Sequence, residues 1–125
     1  MARHNELGKI GEQLACDKLV GDGYAIAERN WRLGHLEIDI VAIKDGSIVF
    51  AEVKTRSGDS EGSPLEAVDA RKIRHMANAA DAYMKMHDDL PMDWRFDIFG
   101  VVVRPDGSTE VEHIPDAFYP PLKTY

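Results

Sequence analysis

Glu37, Asp39, Glu52 and Lys54 are the residues of this chain whose types and spacing suit metal-dependent hydrolysis of a phosphodiester. Mg²⁺ and Mn²⁺ take carboxylate and carbonyl oxygens, so Asp39 and Glu52 are candidate ligands, with the backbone carbonyl of Val53 as a third. Lys54, two residues beyond Glu52, shares its face and would stabilise charge developing on a phosphate or lower the pKa of an attacking water. The plainer alternative is a solvated hairpin end in which Glu37–Lys54 and Asp39–Lys54 are surface ion pairs worth little.

A β-hairpin must position these residues. Residues 36–43 and 47–54 are two runs rich in β-branched side chains, and Asp45-Gly46 between them is a preferred type I′ turn. Counting back from that turn, Lys44 faces Ser47, Val41 faces Phe50, Asp39 faces Glu52 and Glu37 faces Lys54. Alternation then puts Asp39, Val41, Ile43, Ile48, Phe50 and Glu52 on one face. Ile38, Ile40, Ala42, Val49, Ala51 and Val53 form the other, which is wholly apolar. Like charges facing each other on a sheet are destabilising, so Asp39 opposite Glu52 calls for a proton, a cation or solvent.

Around the hairpin the pattern predicts an α/β domain in the order α-β-β-β-α-β-β. Asn5 caps a first helix with the apolar stripe Leu7, Ile10 and Leu14, which Gly21 and Gly23 stop. Glu12 lies off that stripe, on the side of Gly8, Ala15 and Leu19, where it either reaches the hairpin as a further metal or water ligand or is simply exposed. Residues 24–31 read as the first strand, with Trp31 as a core anchor ahead of a base-stacking role. The polar, glycine-rich segment 55–62 suits a substrate-contacting flap. Ser63-Pro64-Leu65-Glu66 is a capping box that opens a second helix, continued by Val68, Ile73, Met76, Ala77, Ala80, Tyr83 and Met84. Residues 94–103 and 109–114 read as the last strands, ahead of a proline-rich close at 115–121. Asp97, inside an apolar strand, needs a partner such as Arg95 or a base from the second helix.

At 125 residues, 44% hydrophobic and 30% charged, the chain is sized for one domain over 1–125, with its core at about 5–114 and a tail at 115–125. No long apolar run or leader pattern is present, so the expected location is cytoplasmic with no membrane partner. The single cysteine, Cys16, excludes an internal disulfide and reads as a small buried hydrophobe. The five histidines lack metal-ligand spacing, and no P-loop or dinucleotide glycine motif occurs. A net charge of −7 argues against easy nucleic-acid binding, but 88–125 hold eight acids and three bases, leaving only −2 for 1–87. Arg56, Arg71, Lys72 and Arg74 then offer phosphate contacts, or a solvated helix face.

Glu12 on a helix, then Asp39, then Glu52-Val53-Lys54 resembles the PD-(D/E)-x-K nuclease superfamily, particularly archaeal-type Holliday-junction resolvases. Gly11-Glu12, Asn30-Trp31-Arg32, Glu37-Ile38-Asp39, Phe50 to Arg56, Gly62 to Val68, Lys72 and Arg95-Phe96-Asp97 together are similar to the YraN-type family of uncharacterised bacterial proteins. The family's usual glycine before Glu37 is Leu36 here, preceded by His35. The resemblance implies a restriction-endonuclease-like three-layer fold with a mixed sheet flanked by helices. It implies Asp39 and Glu52 as ligands of Mg²⁺ or Mn²⁺, Lys54 as base or stabiliser, and Glu12 as a contributor from the first helix. Glu37, Arg56, Lys72, Arg95 and Asp97 are candidates for substrate binding or support. It further implies an endonuclease acting on nucleic acid, DNA first and branched or recombining DNA in particular, as a homodimer that places two sites on a duplex. The alternative, favoured by the acidic charge and small size, is a non-catalytic nucleic-acid-binding or assembly module that keeps the fold.

Overall fold

Helix α1 (Ala2–Gly21) leads to strands β1 (Ala25–Leu33), β2 (Leu36–Lys44) and β3 (Ser47–Ser57), and then to helix α2 (Ala70–Met86) and strands β4 (Asp93–Val103) and β5 (Thr109–Phe118), in a computed structural model of the chain. The structure describes residues 2–58, 66, 68–87 and 93–119, with side chains from residue 6 on. The strands form one sheet in the order β1-β2-β3-β4-β5. Every neighbouring pair is antiparallel except β3 and β4, which run parallel across the α2 connection. This is the mixed sheet flanked by helices, in the α-β-β-β-α-β-β order, that the sequence predicts.

Turn chemistry sets the register. Asp45 and Gly46 both take left-handed backbone, φ 51° and 79°, as a type I′ turn requires. The expected pairs follow from Lys44–Ser47 through Val41–Phe50 to Ile40–Ala51. Gly34, at φ 62°, takes the left-handed backbone in the turn from β1 into β2.

Each face of the sheet has its own core. Against α2 lie Ile38, Val41, Ile48, Phe50, Phe96 and Ile98, closed by Met76, Ala79, Ala80 and Tyr83. Trp31 packs edge-on against Tyr83 with 5.3 Å between ring centres, so it is a core anchor. Burying Phe50 or Phe96 contributes about 2 kcal/mol each. Against α1 lie Ile40, Ala42, Val49, Ala51 and Phe99, closed by Ala15, Cys16 and Leu19.

Several sequence expectations are corrected. Helix α1 begins at Ala2, so Asn5 lies within it and is not its cap. Its buried face is Gly11, Ala15, Cys16 and Leu19, while Ile10 of the expected stripe is 43% exposed. Gly11 decides this: it lies so close to Thr55 of β3 that a Cβ would collide with that side chain. Small residues can therefore pack more tightly than the larger stripe. Helix α2 begins after Asp69, whose carboxylate accepts the Lys72 amide at 2.8 Å, and not at the 63–66 box. Ser63, Pro64 and Leu65, and the 59–62 part of the expected flap, lie outside the described residues. Strand β5 continues four residues past Ile114 to Phe118. Ile38 packs on the α2 face with Val41, although it is separated from Ile40 and Ala42 by even steps.

Candidate active site

The cause of that exception is also what builds the site. Arg29 pairs with Ile40 and Trp31 with Ile38, so Asn30 and Asp39 fall opposite each other between the two pairs. Asn30 takes a left-handed backbone, φ 54°, a conformation asparagine tolerates better than most residues. On the α1 side of this point Arg29 meets Gln13 of α1 at 3.0 Å. On the other side Trp31 and Ile38 belong to the α2 core. Both strands therefore exchange faces at the Asn30–Asp39 step without losing register.

Beyond Ile40–Ala51 the β2–β3 ladder stops, while β3 stays paired with β4 through Ser57 and β2 with β1 through Leu36. The two strands fork, and Asp39 Oδ2 accepts the Val53 amide at 2.8 Å across the opening. A side chain thus replaces a ladder hydrogen bond at the point where Asp39 and Glu52 were expected to face each other directly. The fork opens into a cleft of about 560 Å³ lined by Glu12, Glu37, Asp39, Glu52, Val53, Lys54, Arg56 and Lys72, with Leu7, Gly8, Thr55 and Ser57 between them.

Crowded acids set the electrostatics. Burial first, then the Glu52 charge, pushes the Asp39 carboxyl up to about 7; Glu12 and Glu37 add to this, and the Val53 amide opposes it. Glu52 is 8% exposed, and its Oε1 lies 2.7 Å from Lys72 Nζ. Burial works against the Lys72 ammonium, but the bond to Glu52 and the charges of Glu52, Asp39 and Glu37 outweigh it, so the lysine is held above its ordinary value. Glu12 Oε1 accepts Asn30 Nδ2 at 2.8 Å. Glu37 pairs with Arg32 at 3.4 Å and not with Lys54. Among the described residues no carboxylate lies within ion-pair distance of Lys54.

Among the described residues no three His, Cys, Asp or Glu side chains form a ready-made metal cage. The donors at the fork are all hard oxygens: two carboxylates and the Val53 carbonyl. They fit Mg²⁺, which commonly binds through one or two carboxylates and keeps several waters. Buried negative charge, with Glu52 already holding a cation, is consistent with such a ligand set.

Arg95 and Asp97 do not line this cleft. Asp97 is fully buried and receives Arg95 Nε at 2.9 Å, Arg95 Nη2 at 3.2 Å and the Asp116 amide at 3.0 Å, with His113 Nε2 at 2.7 Å. The network sits where the β4–β5 register shifts between Phe96 and Ile98, and Arg95 continues it to the Tyr24 hydroxyl at 2.9 Å. Its role is to tie β5 to β4. Arg71 and Arg74 are exposed on α2. Burial pushes the Cys16 thiol up, which suits a small core residue.

Sequence reasoning missed Asn30 as a site residue. Its signal was an asparagine within a strand pattern, a residue type that tolerates a left-handed backbone. Lys72 was expected only as a phosphate contact or support, whereas it is bonded to Glu52.

A family model for the uncharacterised protein family UPF0102 matches residues 11–101, which span α1 from Gly11 through nearly all of β4. A UPF0102 protein of Bacteroides thetaiotaomicron is 52% identical over 123 residues, covering 98% of this chain and 99% of the relative. One from Parabacteroides distasonis is 44% identical over 124 residues, covering 98% and 100%. One from Flavobacterium johnsoniae is 43% identical over 123 residues, covering 95% and 98%. With every element that frames the cleft inside these matches, the chain belongs to the uncharacterised protein family UPF0102.

Proposed function

We propose that the protein is a metal-dependent endonuclease that hydrolyses phosphodiester bonds in DNA, with branched or recombining DNA as the first substrates to test. The observation that carries this reading is the fork, which holds Asp39 and Glu52 together, largely buried, beside Glu12, Lys54 and Lys72. Asp39, Glu52 and the Val53 carbonyl would hold Mg²⁺ or Mn²⁺. A bound ion of this kind polarises a phosphate oxygen and acidifies water. The Val53 amide fixes one Asp39 oxygen and so presets the carboxylate. Asn30 engages Glu12 Oε1, leaving the other oxygen to accept a proton from water. Lys54, Lys72 and Arg56 supply positive charge for the phosphodiester on the cleft walls.

Two observations favour a second reading, a nucleic-acid-binding or assembly module without turnover: the net charge of −7, and the Lys72–Glu52 bond, which satisfies Glu52 without a metal. One experiment separates the two. Mg²⁺-dependent nicking is measured on a four-way junction, a linear duplex, single-stranded DNA and RNA, with wild type, Asp39→Asn and Glu52→Gln. Metal-dependent product that disappears in both folded variants supports the nuclease. Cleavage that survives either substitution sinks it, and tight binding without turnover supports the second reading.

A further inference from the structure

Lys72 stands where the fold has no local reason to put a lysine. It lies in the first turn of α2, a turn with no acidic residue, and a cation there opposes the helix dipole. The Asp69 cap bonds the Lys72 backbone amide, which fixes where the side chain leaves the helix. Its ammonium reaches across to Glu52 Oε1 at 2.7 Å, with the two side chains only 27% and 11% exposed. The helix thus delivers one positive charge onto a carboxylate that the proposed reaction assigns to a divalent ion.

We propose that Lys72 is a tethered counter-cation: it holds Glu52 in place in the metal-free protein, gives up that position when a divalent ion enters, and then contacts the phosphate that accompanies the ion. The inference rests on the metal-dependent reading and adds a positioning residue to it. An ammonium in contact with Glu52 and an ion at its ligand distance of about 2 Å would repel strongly over so short a separation. The flexible four-carbon stem lets the ammonium move by several ångströms, in order-of-magnitude terms, while α2 stays on the sheet. Lys54 lines the same cleft with no carboxylate in ion-pair reach among the described residues. After the exchange, two ammonium groups are available to one phosphodiester.

The test is Mg²⁺ titration calorimetry on the full chain as wild type, Lys72→Met and Lys72→Arg, run beside mass-spectrometric measurement of reductive methylation at Lys72 with Mg²⁺ and with chelator. The expected result is Mg²⁺ affinity about tenfold tighter in Lys72→Met and within about threefold of wild type in Lys72→Arg, as removal or retention of one nearby charge dictates. Methylation of wild-type Lys72 is expected to accelerate several-fold at saturating Mg²⁺ and to slow again on chelation. A mere structural role for the lysine would not move that rate. Equal methylation with and without Mg²⁺, or unchanged or weaker affinity in Lys72→Met, overturns the exchange while leaving the metal site standing. Absence of Mg²⁺ binding in all three proteins overturns both the exchange and the metal-dependent reading.

Discussion

Asn30 and Asp39 face each other across β1 and β2, and at that one step both strands turn their side chains to the opposite layer. The left-handed backbone at Asn30 makes the exchange, and the two side chains put it to use. Asn30 holds Glu12 on α1, and Asp39 holds the Val53 amide on β3. One backbone irregularity therefore connects all three elements that carry the candidate acids.

Replacing Asn30 separates its two roles. Asn30→Gly keeps the left-handed backbone but removes the bond to Glu12, so stability is expected to fall by less than about 1 kcal/mol. Asn30→Val forces a β-branched residue into that conformation and is expected to cost about 1–3 kcal/mol. Urea unfolding followed by tryptophan fluorescence measures both. Equal losses in the two variants would show that the hydrogen bond and not the backbone matters.

The Asp39 carboxyl sets a pH window. Its value in the folded protein is raised from 3.8 to about 7. Below the lower value the group is protonated whether the chain is folded or not, and its contribution to stability is fully present. As pH rises towards and through about 7 the folded protein must either keep a proton or bury a charge, and that contribution is lost. Lys72, raised above 10.5, stays charged throughout this window and adds no slope of its own. Metal-free protein is therefore expected to lose stability between about pH 4 and pH 7 and to level off above that, and Asp39→Asn to remove most of that slope. Mg²⁺ binding has the opposite dependence, because the ion needs the carboxylate: affinity is expected to rise about tenfold per pH unit below the Asp39 value, with proton release, and to level off above it. Calorimetry in buffers of different ionisation enthalpy reads the proton directly. A flat affinity profile would remove Asp39 from the ligand set.

Local chemistry was legible in the sequence; approach between distant segments was not. Asp45-Gly46 specifies its turn by itself, so the register out to Ile40–Ala51 could be counted from it. The same count, continued, put Asp39 directly opposite Glu52, because nothing in alternating hydropathy announces that β2 leaves β3 while β3 stays with β4. In α1, large apolar residues suggested the buried stripe, but Gly11 against Thr55 brings helix and strand so close that Ala15 and Cys16 fill the space instead. The start of α2 was misplaced for a different reason. Val68 reads as a helical position from its apolar character alone, whereas Asp69 has the extended backbone of a cap and its carboxylate accepts the Lys72 amide, so the helix begins only at Ala70. The Lys72–Glu52 contact joins two elements whose separation in sequence carries no period, so residue spacing had no means of revealing it.

The Gly11–Thr55 approach makes a sharp contrast with a second glycine in the same helix. A Cβ on Gly11 collides with the Thr55 side chain, while one on Gly8 meets nothing within 4 Å. Gly11→Ala is expected to cost about 1–3 kcal/mol, because α1 must lift from β3. Gly8→Ala is expected to stabilise by up to about 1 kcal/mol through helix propensity alone. Thr55→Ala combined with Gly11→Ala should recover part of the loss, a coupling that a double-mutant cycle on unfolding free energies measures. Additive effects would show that the helix stands off the strand.

Asp97 provides the control that separates stability from the site. Its two oxygens take both Arg95 contacts, the Asp116 amide and His113, with the carboxylate fully out of solvent. Asp97→Asn turns an amide NH₂ towards donors and leaves the Arg95 charge without its partner, which is expected to cost about 3–5 kcal/mol. Asp116, held at φ 50° with its amide on Asp97, should then come free along with the end of β5. Hydrogen exchange is expected to rise at residues 113–118 first. Because Asp97 and Arg95 lie outside the cleft, Mg²⁺ affinity of the folded variant is expected to stay within about twofold of wild type, the near-additivity of sites that share no partner. A variant that kept its stability and lost Mg²⁺ would place Asp97 in the metal site, against the geometry of the fork.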